Sequence, residues 1–364
     1  MKKILTAALA FCVFAYALPI ITVGASGKNE TQPEGTASNA PNTDYKAAID
    51  IWNETINNLY ANAEKIDPAP PAKNEDYDQK TTVTVLIDGI ARQITVRDYL
   101  VGVVAAEMPA SFPIEALKAQ AVAARSYMLP KLERGGGGNE DGVQLCDDYT
   151  HCTAVFDIAE GGEALWGNNA DYYADRIYAA VADTDGIVAV SGGEVIAAVF
   201  HSASSDKTED AKNVWGVSYP YLVSVSSVGG SASPNYYGTV VVKTDDFLKV
   251  IKNSCPSAIL GKDPSSWIGT VKRSQSGSVL NITVGGVELK GTQIRALFGL
   301  NSANFSVELR GNEFVFSTVG TGHGVGMSQY GAREMALGGA CFDDIICHYY
   351  SGEQLMVKKM KKSE

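Results

Sequence analysis

The sequence predicts an α+β fold in which several β-hairpins are interspersed with helices. Short turns that contain glycine interrupt stretches of alternating apolar and polar residues, a pattern typical of hairpins. Between these stretches, apolar residues recur at helical spacing. Strands and helices do not alternate regularly along the chain, which argues against a doubly wound parallel sheet.

Individual segments predict the hairpins and the helices. The first hairpin covers residues 81–96 and turns at Asp88-Gly89. The other hairpins are residues 186–200 around Gly192-Gly193, 279–289 around Gly285-Gly286, and 305–316 around Gly311-Asn312. The clearest helices are Tyr99–Met108 and Pro113–Met128, and shorter helices are expected at residues 293–298, 329–337 and 343–350.

The first 25 residues form a targeting segment, in which Lys2 and Lys3 precede an apolar stretch. Its length is close to the roughly 20 residues of a spanning helix, although residues 23–25 also resemble a cleavage site. The positive-inside rule keeps both lysines in the cytoplasm, so the remaining chain is expected to be extracytoplasmic in either case. A single-pass membrane anchor is favoured over a removed signal.

The segments after the anchor differ in composition. Residues 26–44 contain no large apolar side chain and are expected to form a flexible spacer. Residues 45–80 predict an amphipathic helix and a polar linker. The catalytic domain is expected at residues 81–357, followed by a basic, solvated tail at 358–364.

Charge and cysteine content exclude some classes of function. The net charge of -11 argues against nucleic-acid binding, because phosphate contacts require clustered lysine and arginine. Of the six cysteines, Cys12 lies in the apolar segment, and the remainder are too few for a disulfide scaffold.

Glu107 lies at the end of an apolar predicted helix that Pro109 terminates. The carbonyl end of the helix dipole and the apolar surroundings should both raise its pKa. A carboxyl group that retains its proton near neutral pH can act as a general acid on a glycosidic bond. Spacing alone leaves open the alternative that Glu107 is an exposed helix-end residue.

Lys118 and Arg125 lie seven residues apart on one face of the second predicted helix. They could hold Glu107 or a substrate, and the alternative is that both are solvated helix charges.

Three segments in the same order resemble the stage II sporulation protein D family, which also includes amidase enhancers. The first segment is Tyr99–Tyr127, with Ala-Ala-Glu-Met-Pro followed by Leu-Lys-Ala-Gln-Ala-Val-Ala-Ala-Arg-Ser-Tyr. The second begins at Phe200 with Phe-His-Ser-Ala-Ser-Ser-Asp-Lys. The third is Gly322–Ala332, with Gly-His-Gly-Val-Gly-Met-Ser-Gln-Tyr-Gly-Ala. The resemblance covers residues 83–355.

The resemblance implies a lytic transglycosylase that cleaves peptidoglycan glycan strands, preferably those stripped of stem peptides, during spore engulfment. Glu107 matches the family's catalytic glutamate and would protonate the oxygen between N-acetylmuramic acid and N-acetylglucosamine. It would then accept the proton of the muramic 6-hydroxyl, which gives a 1,6-anhydro end without water. A hydrolase would need a second carboxylate, for which Asp206 and Glu209 are candidates.

The resemblance also implies partners and a location. The partners are the stage II sporulation proteins P and M, and the location is the engulfing mother-cell membrane. Two alternatives remain: a non-enzymatic, glycan-binding enhancer of a cell-wall amidase, and a surface module that only binds glycan.

The second and third segments contain the predicted substrate-binding residues. Hydroxyl groups and a lysine suit sugar and carboxylate recognition, and an indole can stack on a pyranose. A histidine could orient Glu107 or the substrate. The alternative is an ordinary polar loop with satisfied buried histidines. Apart from Lys118 and Arg125, the predicted set is His201, Ser202, Ser204, Ser205, Lys207, Trp215, His323, Ser328 and Gln329.

Cys146, His151 and Cys152 lie within seven residues and could supply thiolate and imidazole ligands to zinc. Relatives that this segment resembles carry a similar cysteine pair and can bind zinc there. An upstream histidine of some relatives is replaced by Asn139 or Glu140, so the third ligand stays open. Zinc bound by Cys146 and Cys152, with a structural or substrate-shaping role, is favoured over a local disulfide.

Overall fold

The computed structural model describes residues 77–133, 142–352 and 356–360. The predicted anchor, spacer and amphipathic helix lie outside these residues. Across the described part of the chain, no helix is long and apolar enough to cross a membrane. The predicted α+β class is confirmed.

The first predicted hairpin is present as β1 (Thr82–Ile87) and β2 (Ile90–Thr95), paired antiparallel. Its turn residues Asp88 and Gly89 have φ of 51° and 75°, the left-handed values that a two-residue hairpin turn requires. A short strand β3 (Leu145–Cys146) pairs parallel with β1. This pairing fixes the cysteine-containing segment beside the hairpin.

Helices surround the long central helix α3 (Ile114–Glu133). A short helix α1 (Tyr77–Lys80) precedes the hairpin, and α2 (Val96–Glu107) follows it, begun by the Thr95 side chain, which accepts from the Asp98 N–H. The predicted helices are confirmed, and α3 extends five residues further than expected. The helices that follow are α4 (Ile158–Trp166), α5 (Ala170–Asp183), α6 (Ala211–Trp215), α7 (Thr244–Ser254), α8 (Gly291–Phe298), α9 (Gln329–Leu337) and α10 (Phe342–Tyr349).

The sequence did not predict helices α4 to α7. Each of them buries few residues: α5 buries Ile177, Ala180 and Val181, and α7 buries Phe247 and Ile251. Side-chain caps begin two of them, since Asp157 and Asp210 accept from backbone N–H groups at the starts of α4 and α6.

The strands form small sheets. The second predicted hairpin is β4 (Ile187–Ser191) and β5 (Glu194–Val195), and β14 (Met356–Lys359) adds antiparallel to β4. The predicted basic tail therefore begins inside a strand, because the β4 backbone pairs with Lys358 and Lys359 while their side chains stay exposed. Two very short strands, β6 (Phe200–His201) and β13 (Met327–Ser328), pair parallel.

Two hydrophobic cores support these elements. The first is built around α2 and α3, whose alanines allow close packing. The second contains stacked aromatic residues, among them Phe247, Trp267 and Phe314. Two sheets cover it, in the orders β10-β9-β8 and β11-β12-β7. Their strands are β7 (Tyr237–Lys243), β8 (Ile268–Arg273), β9 (Val279–Val284), β10 (Val287–Lys290), β11 (Phe305–Arg310) and β12 (Glu313–Val319).

Arg125 does not have the substrate-binding position expected from the sequence. Its side chain is fully buried and donates to both carboxylate oxygens of Asp78, at 2.9 Å and 2.5 Å, and to the carbonyl of Ile187. Asp185 in turn accepts from the backbone N–H groups of Tyr77 and Asp78. The pair therefore attaches α1, which the sequence placed in the linker, to the core.

We expect Arg125→Met to lower the free energy of unfolding by about 3–5 kcal/mol, because it leaves Asp78 as a buried charge without its cation. Adding Asp78→Asn should restore part of the loss. Urea unfolding of both variants and the wild-type chain measures this. A single variant as stable as the wild type would show that the pair does not secure α1.

Candidate active site

Glu107 is the last residue of α2 and remains partly exposed, whereas Val104 and Met108 beside it are buried. The Gln329 side-chain amide donates to Glu107 Oε2 at 3.1 Å. The backbone of Ala154 supplies a second hydrogen bond. Three segments that are distant in sequence therefore meet at this carboxyl group.

Removal from water raises the pKa of Glu107 to about 7, and the hydrogen bonds from Gln329 and Ala154 oppose the rise only in part. The carbonyl end of the helix dipole also disfavours the carboxylate. The raised pKa that the sequence suggested is thus present. The carboxyl group has the proton affinity of a general acid at neutral pH.

The segment after Cys152 packs along α2 and brings Ala154 to Glu107. Phe156 donates its N–H to the carbonyl of Gly102 at 3.0 Å, and the Tyr99 hydroxyl lies 2.8 Å from that of Thr153. A Cβ atom at Gly102 would lie 2.7 Å from Val155, so the approach requires glycine. Helix α2 therefore holds both Glu107 and the cysteine loop, which is the segment that contains Cys146 and Cys152.

The parallel β6–β13 pair joins the second and third sequence segments. It aligns His201 with Ser328, and Gln329 follows as the first residue of α9. The approach is close, because a Cβ at Gly326 (φ 69°) would lie 2.1 Å from the carbonyl oxygen of Val199. The pairing therefore determines where Gln329 meets Glu107.

His201 is buried and its ring is held on both sides. Nδ1 lies 3.0 Å from the carbonyl of Val325, and Nε2 lies 2.6 Å from the hydroxyl of Ser204. Burial, with His323 and Arg295 nearby, lowers the pKa of His201 to about 3. The imidazole is therefore neutral at physiological pH and orders the central loop.

The ring of His323 lies between the rings of His201 and Trp215 and contacts both. The ring of His323 lies 5.6 Å from that of His201 and 5.3 Å from that of Trp215. Burial and the charge of Arg295 lower the pKa of His323 to about 4, so it is also neutral. Trp215 is 44% exposed, which leaves indole surface free to contact a sugar. Its substrate role remains a prediction.

The structure assigns structural contacts to two other predicted binding residues. The Lys118 ammonium lies 3.0 Å from carboxylate oxygens of both Glu115 and Asp183. Ser328 is fully buried, and its hydroxyl caps α9 by accepting from the N–H of Gly331. Ser328 is not accessible to a glycan, whereas Lys118 is partly exposed and already paired with two carboxylates.

A polar pocket lies between the central loop and the second core, beside His323. Ser204, Ser205 and Lys207 line it on one side, and Ser276, Ser278 and Asn304 on the other. The hydroxyl of Ser205 donates to the carbonyl of Ser276 at 2.9 Å. Ser202 is partly exposed in the same loop, and its carbonyl accepts from the N–H of Tyr330. These groups remain candidates for binding sugar hydroxyls.

The surroundings of Glu209 in this pocket lower its pKa, whereas those of Glu107 raise the pKa. Burial opposes its charge, yet its carboxylate accepts hydrogen bonds from Asn213, Ser274, Ser276 and the N–H of Asp210, and these hold its pKa below the usual range. The two serines belong to the turn between β8 and β9. Glu209 therefore joins the two cores as a permanent carboxylate.

Cys146, His151 and Cys152 form a compact group of potential metal ligands. His151 Nδ1 lies 3.2 Å from the Cys146 sulfur and 3.7 Å from that of Cys152, and all three ligand atoms lie within 4.8 Å of one another. The two sulfurs are not joined as a disulfide. Ligand atoms of a tetrahedral zinc site lie roughly 3.5–4 Å apart, so this donor set fits zinc. Asn139 and Glu140 lie outside the described residues.

Sequence reasoning missed Arg176, which secures the turn after Glu107. Its guanidinium donates to the carbonyls of Ala110 and Phe112, at 3.0 Å and 2.6 Å. Arg176 lies in α5, a helix that the sequence did not predict. The spacing of Arg176 from other charged residues was the only signal in the sequence that could have indicated it.

The chain is similar in sequence to several known proteins. Residues 89–190 match the family model described as stage II sporulation protein. The chain is 34% identical over 302 residues to stage II sporulation protein D of Bacillus subtilis, covering 80% of this chain and 84% of that protein. It is 36% identical over 262 residues to stage II sporulation protein D of Bacillus amyloliquefaciens, covering 71% and 73%.

A more distant relative is the amidase enhancer of Bacillus subtilis, 28% identical over 304 residues, which covers 70% of this chain and 40% of that protein. The identity to the two D proteins extends over most of the chain and is not confined to the three short motifs. The chain belongs to the stage II sporulation protein D family and thus has a role in the cell envelope during sporulation.

Proposed function

We propose that this protein is a lytic transglycosylase that cleaves the bond between N-acetylmuramic acid and N-acetylglucosamine in peptidoglycan, with Glu107 as its single catalytic acid and base. The observation that carries the proposal is the partly exposed Glu107, whose pKa of about 7 suits both roles. Strands stripped of stem peptides are the preferred substrate. The reaction belongs to spore engulfment.

One carboxyl group suffices because the substrate supplies its own nucleophile. Protonated Glu107 transfers its proton to the glycosidic oxygen as the bond to the muramic anomeric carbon breaks. The resulting carboxylate accepts the proton of the muramic 6-hydroxyl, whose oxygen forms the new bond to that carbon. Gln329 positions the carboxyl group by its hydrogen bond to Oε2. The product carries a 1,6-anhydro ring, and no water is consumed.

The candidates for a second carboxylate do not fit a hydrolase. Glu209 is buried, and its four hydrogen-bond donors already occupy both carboxylate oxygens. Asp206 is exposed on the central loop. An inverting or retaining hydrolase needs two carboxyl groups on opposite sides of one bond. The geometry therefore favours the intramolecular reaction.

We further propose that Cys146, His151 and Cys152 hold a zinc ion with a structural or substrate-shaping role. The thiolates and the imidazole are the ligand types that zinc prefers. Bound zinc would stabilise the loop between β3 and Ala154 and would take no part in the proton transfers.

The proposed location is a cell membrane, with the N-terminal segment as a single-pass anchor and the catalytic domain outside the cytoplasm. The partners proposed from the family are the stage II sporulation proteins P and M, in addition to the glycan strands. The second candidate function is a non-enzymatic enhancer of a cell-wall amidase, which the similarity to the Bacillus subtilis amidase enhancer favours.

The first expected result is that the full-length chain forms 1,6-anhydromuramic ends on peptide-free glycan strands. Glu107→Gln should slow their formation by about 10²- to 10⁴-fold, because the variant cannot transfer a proton. Mass spectrometry of the released fragments measures both. Glu308→Gln, an exposed residue paired with Arg310, is the matched control and should match the wild type.

Products that contain an added water would show that the protein is a hydrolase and not a lytic transglycosylase. Absence of cleavage by the wild-type chain, combined with faster action of an added amidase, would identify an enhancer.

The second expectation concerns stability and pH. The folded state raises the pKa of Glu107 from 4.5 to about 7, so Glu107 contributes stability below pH 4.5 that is lost as pH rises through 7. Glu107→Gln should therefore stabilise the chain at pH 8 by about 1–3 kcal/mol and have little effect near pH 4.5. Urea unfolding at both pH values tests this, with Glu308→Gln as control. An equal effect at both pH values would contradict the raised pKa.

The third expectation is one zinc ion per freshly purified chain by elemental analysis. Cys146→Ser or Cys152→Ser should abolish binding, because two thiolates supply most of the affinity. His151→Ala should weaken binding, and Cys341→Ser, at an exposed cysteine, should retain the metal. A chelator should lower the melting temperature of the wild-type chain and of Cys341→Ser, but not of Cys146→Ser or Cys152→Ser. A metal-free disulfide between Cys146 and Cys152 would disprove the proposal.

A further inference from the structure

Arg295 is a guanidinium without an acidic partner beside the candidate active site. It lies in the last turn of α8 and is partly exposed. Its Nε donates to the carbonyl of Leu300 at 3.2 Å, a contact that caps the helix. Within residues 77–133, 142–352 and 356–360, no carboxylate pairs with Arg295 and no acceptor receives its two terminal nitrogens.

The position of Arg295 is defined by its electrostatic neighbours. Its charge lowers the pKa of His323 and of His201, so both imidazoles lie within its field. Tyr149, 69% exposed in the cysteine loop, interacts electrostatically with the guanidinium. Asn301, just after α8, accepts a hydrogen bond from Gly322 N–H at 3.0 Å. Arg295 therefore lies near His323.

The two terminal nitrogens of Arg295 remain accessible and have no acceptor within the described residues, so they can contact a ligand. The guanidinium remains charged, and its planar set of donors matches a carboxylate in a two-point contact. The group that interacts electrostatically with Arg295 is Tyr149, and no described carboxylate is paired with the guanidinium. Arg295 is thus available to an anionic ligand.

A glycan strand offers one kind of anion. The lactyl carboxyl of N-acetylmuramic acid is free and charged on a stripped strand, and it is an uncharged amide where a stem peptide is attached. Resting on the proposed function, we propose that Arg295 binds this free carboxylate and thereby selects peptide-stripped strands.

The test measures equilibrium binding by the full-length chain with Glu107→Gln, which prevents cleavage. The ligands are stripped strands with free lactyl carboxylates and the same strands converted to methylamides. The Glu107→Gln chain, which retains Arg295, should bind the carboxylate form about 10- to 100-fold more tightly than the methylamide form, which is the range of a charge-assisted hydrogen bond. Arg295→Gln should bind both forms equally, at the level of the methylamide. Arg295→Lys should retain part of the preference.

Arg310→Gln, an exposed arginine already paired with Glu308, is the matched control and should keep the full preference. Melting temperatures of all variants verify that they are folded. A retained preference in Arg295→Gln, or no preference in the parent chain, would overturn the assignment. Cleavage by the wild-type chain is measured separately. If the protein prefers the carboxylate form but the wild-type chain does not cleave, the proposed role of Arg295 is supported and only the proposed transglycosylase activity is overturned.

Discussion

The candidate site depends on the parallel pairing of Phe200–His201 with Met327–Ser328. These two short strands contribute little hydrogen bonding by themselves, but they align two loops that would otherwise be independent. The alignment requires a glycine at 326, because the backbone of Val199 occupies the space of a side chain. Gln329 then begins α9 at the position from which its amide reaches Glu107.

The same pairing explains the ordered, neutral interior of the site. His201 has both ring nitrogens engaged, one by the Val325 carbonyl and one by the Ser204 hydroxyl. A charged imidazole there would lose hydration and lie near Arg295, so the neutral form is strongly favoured. His201 and His323 are consequently neutral, and in the proposed reaction only the carboxyl group of Glu107 transfers protons.

Local patterns predicted much of the fold. The Asp88-Gly89 turn and the α2–Pro109 boundary were evident, because turn chemistry and proline depend only on neighbouring residues. The β6–β13 pairing and the helix α5 that carries Arg176 were not evident, since their stability comes from contacts distant in sequence. Arg125 shows the limit most clearly: spacing placed it on a helix face, but only the structure shows Asp78 buried against it.

Two glutamates in this site differ in protonation because their surroundings supply different numbers of donors. Glu107, at a helix carbonyl end with two hydrogen bonds, is kept partly neutral, whereas Glu209, with four donors, is kept charged. The difference suits a reaction in which one carboxyl group must give and then take a proton. A second carboxyl group free to titrate nearby would compete for that proton, and a site with one mobile proton avoids this competition.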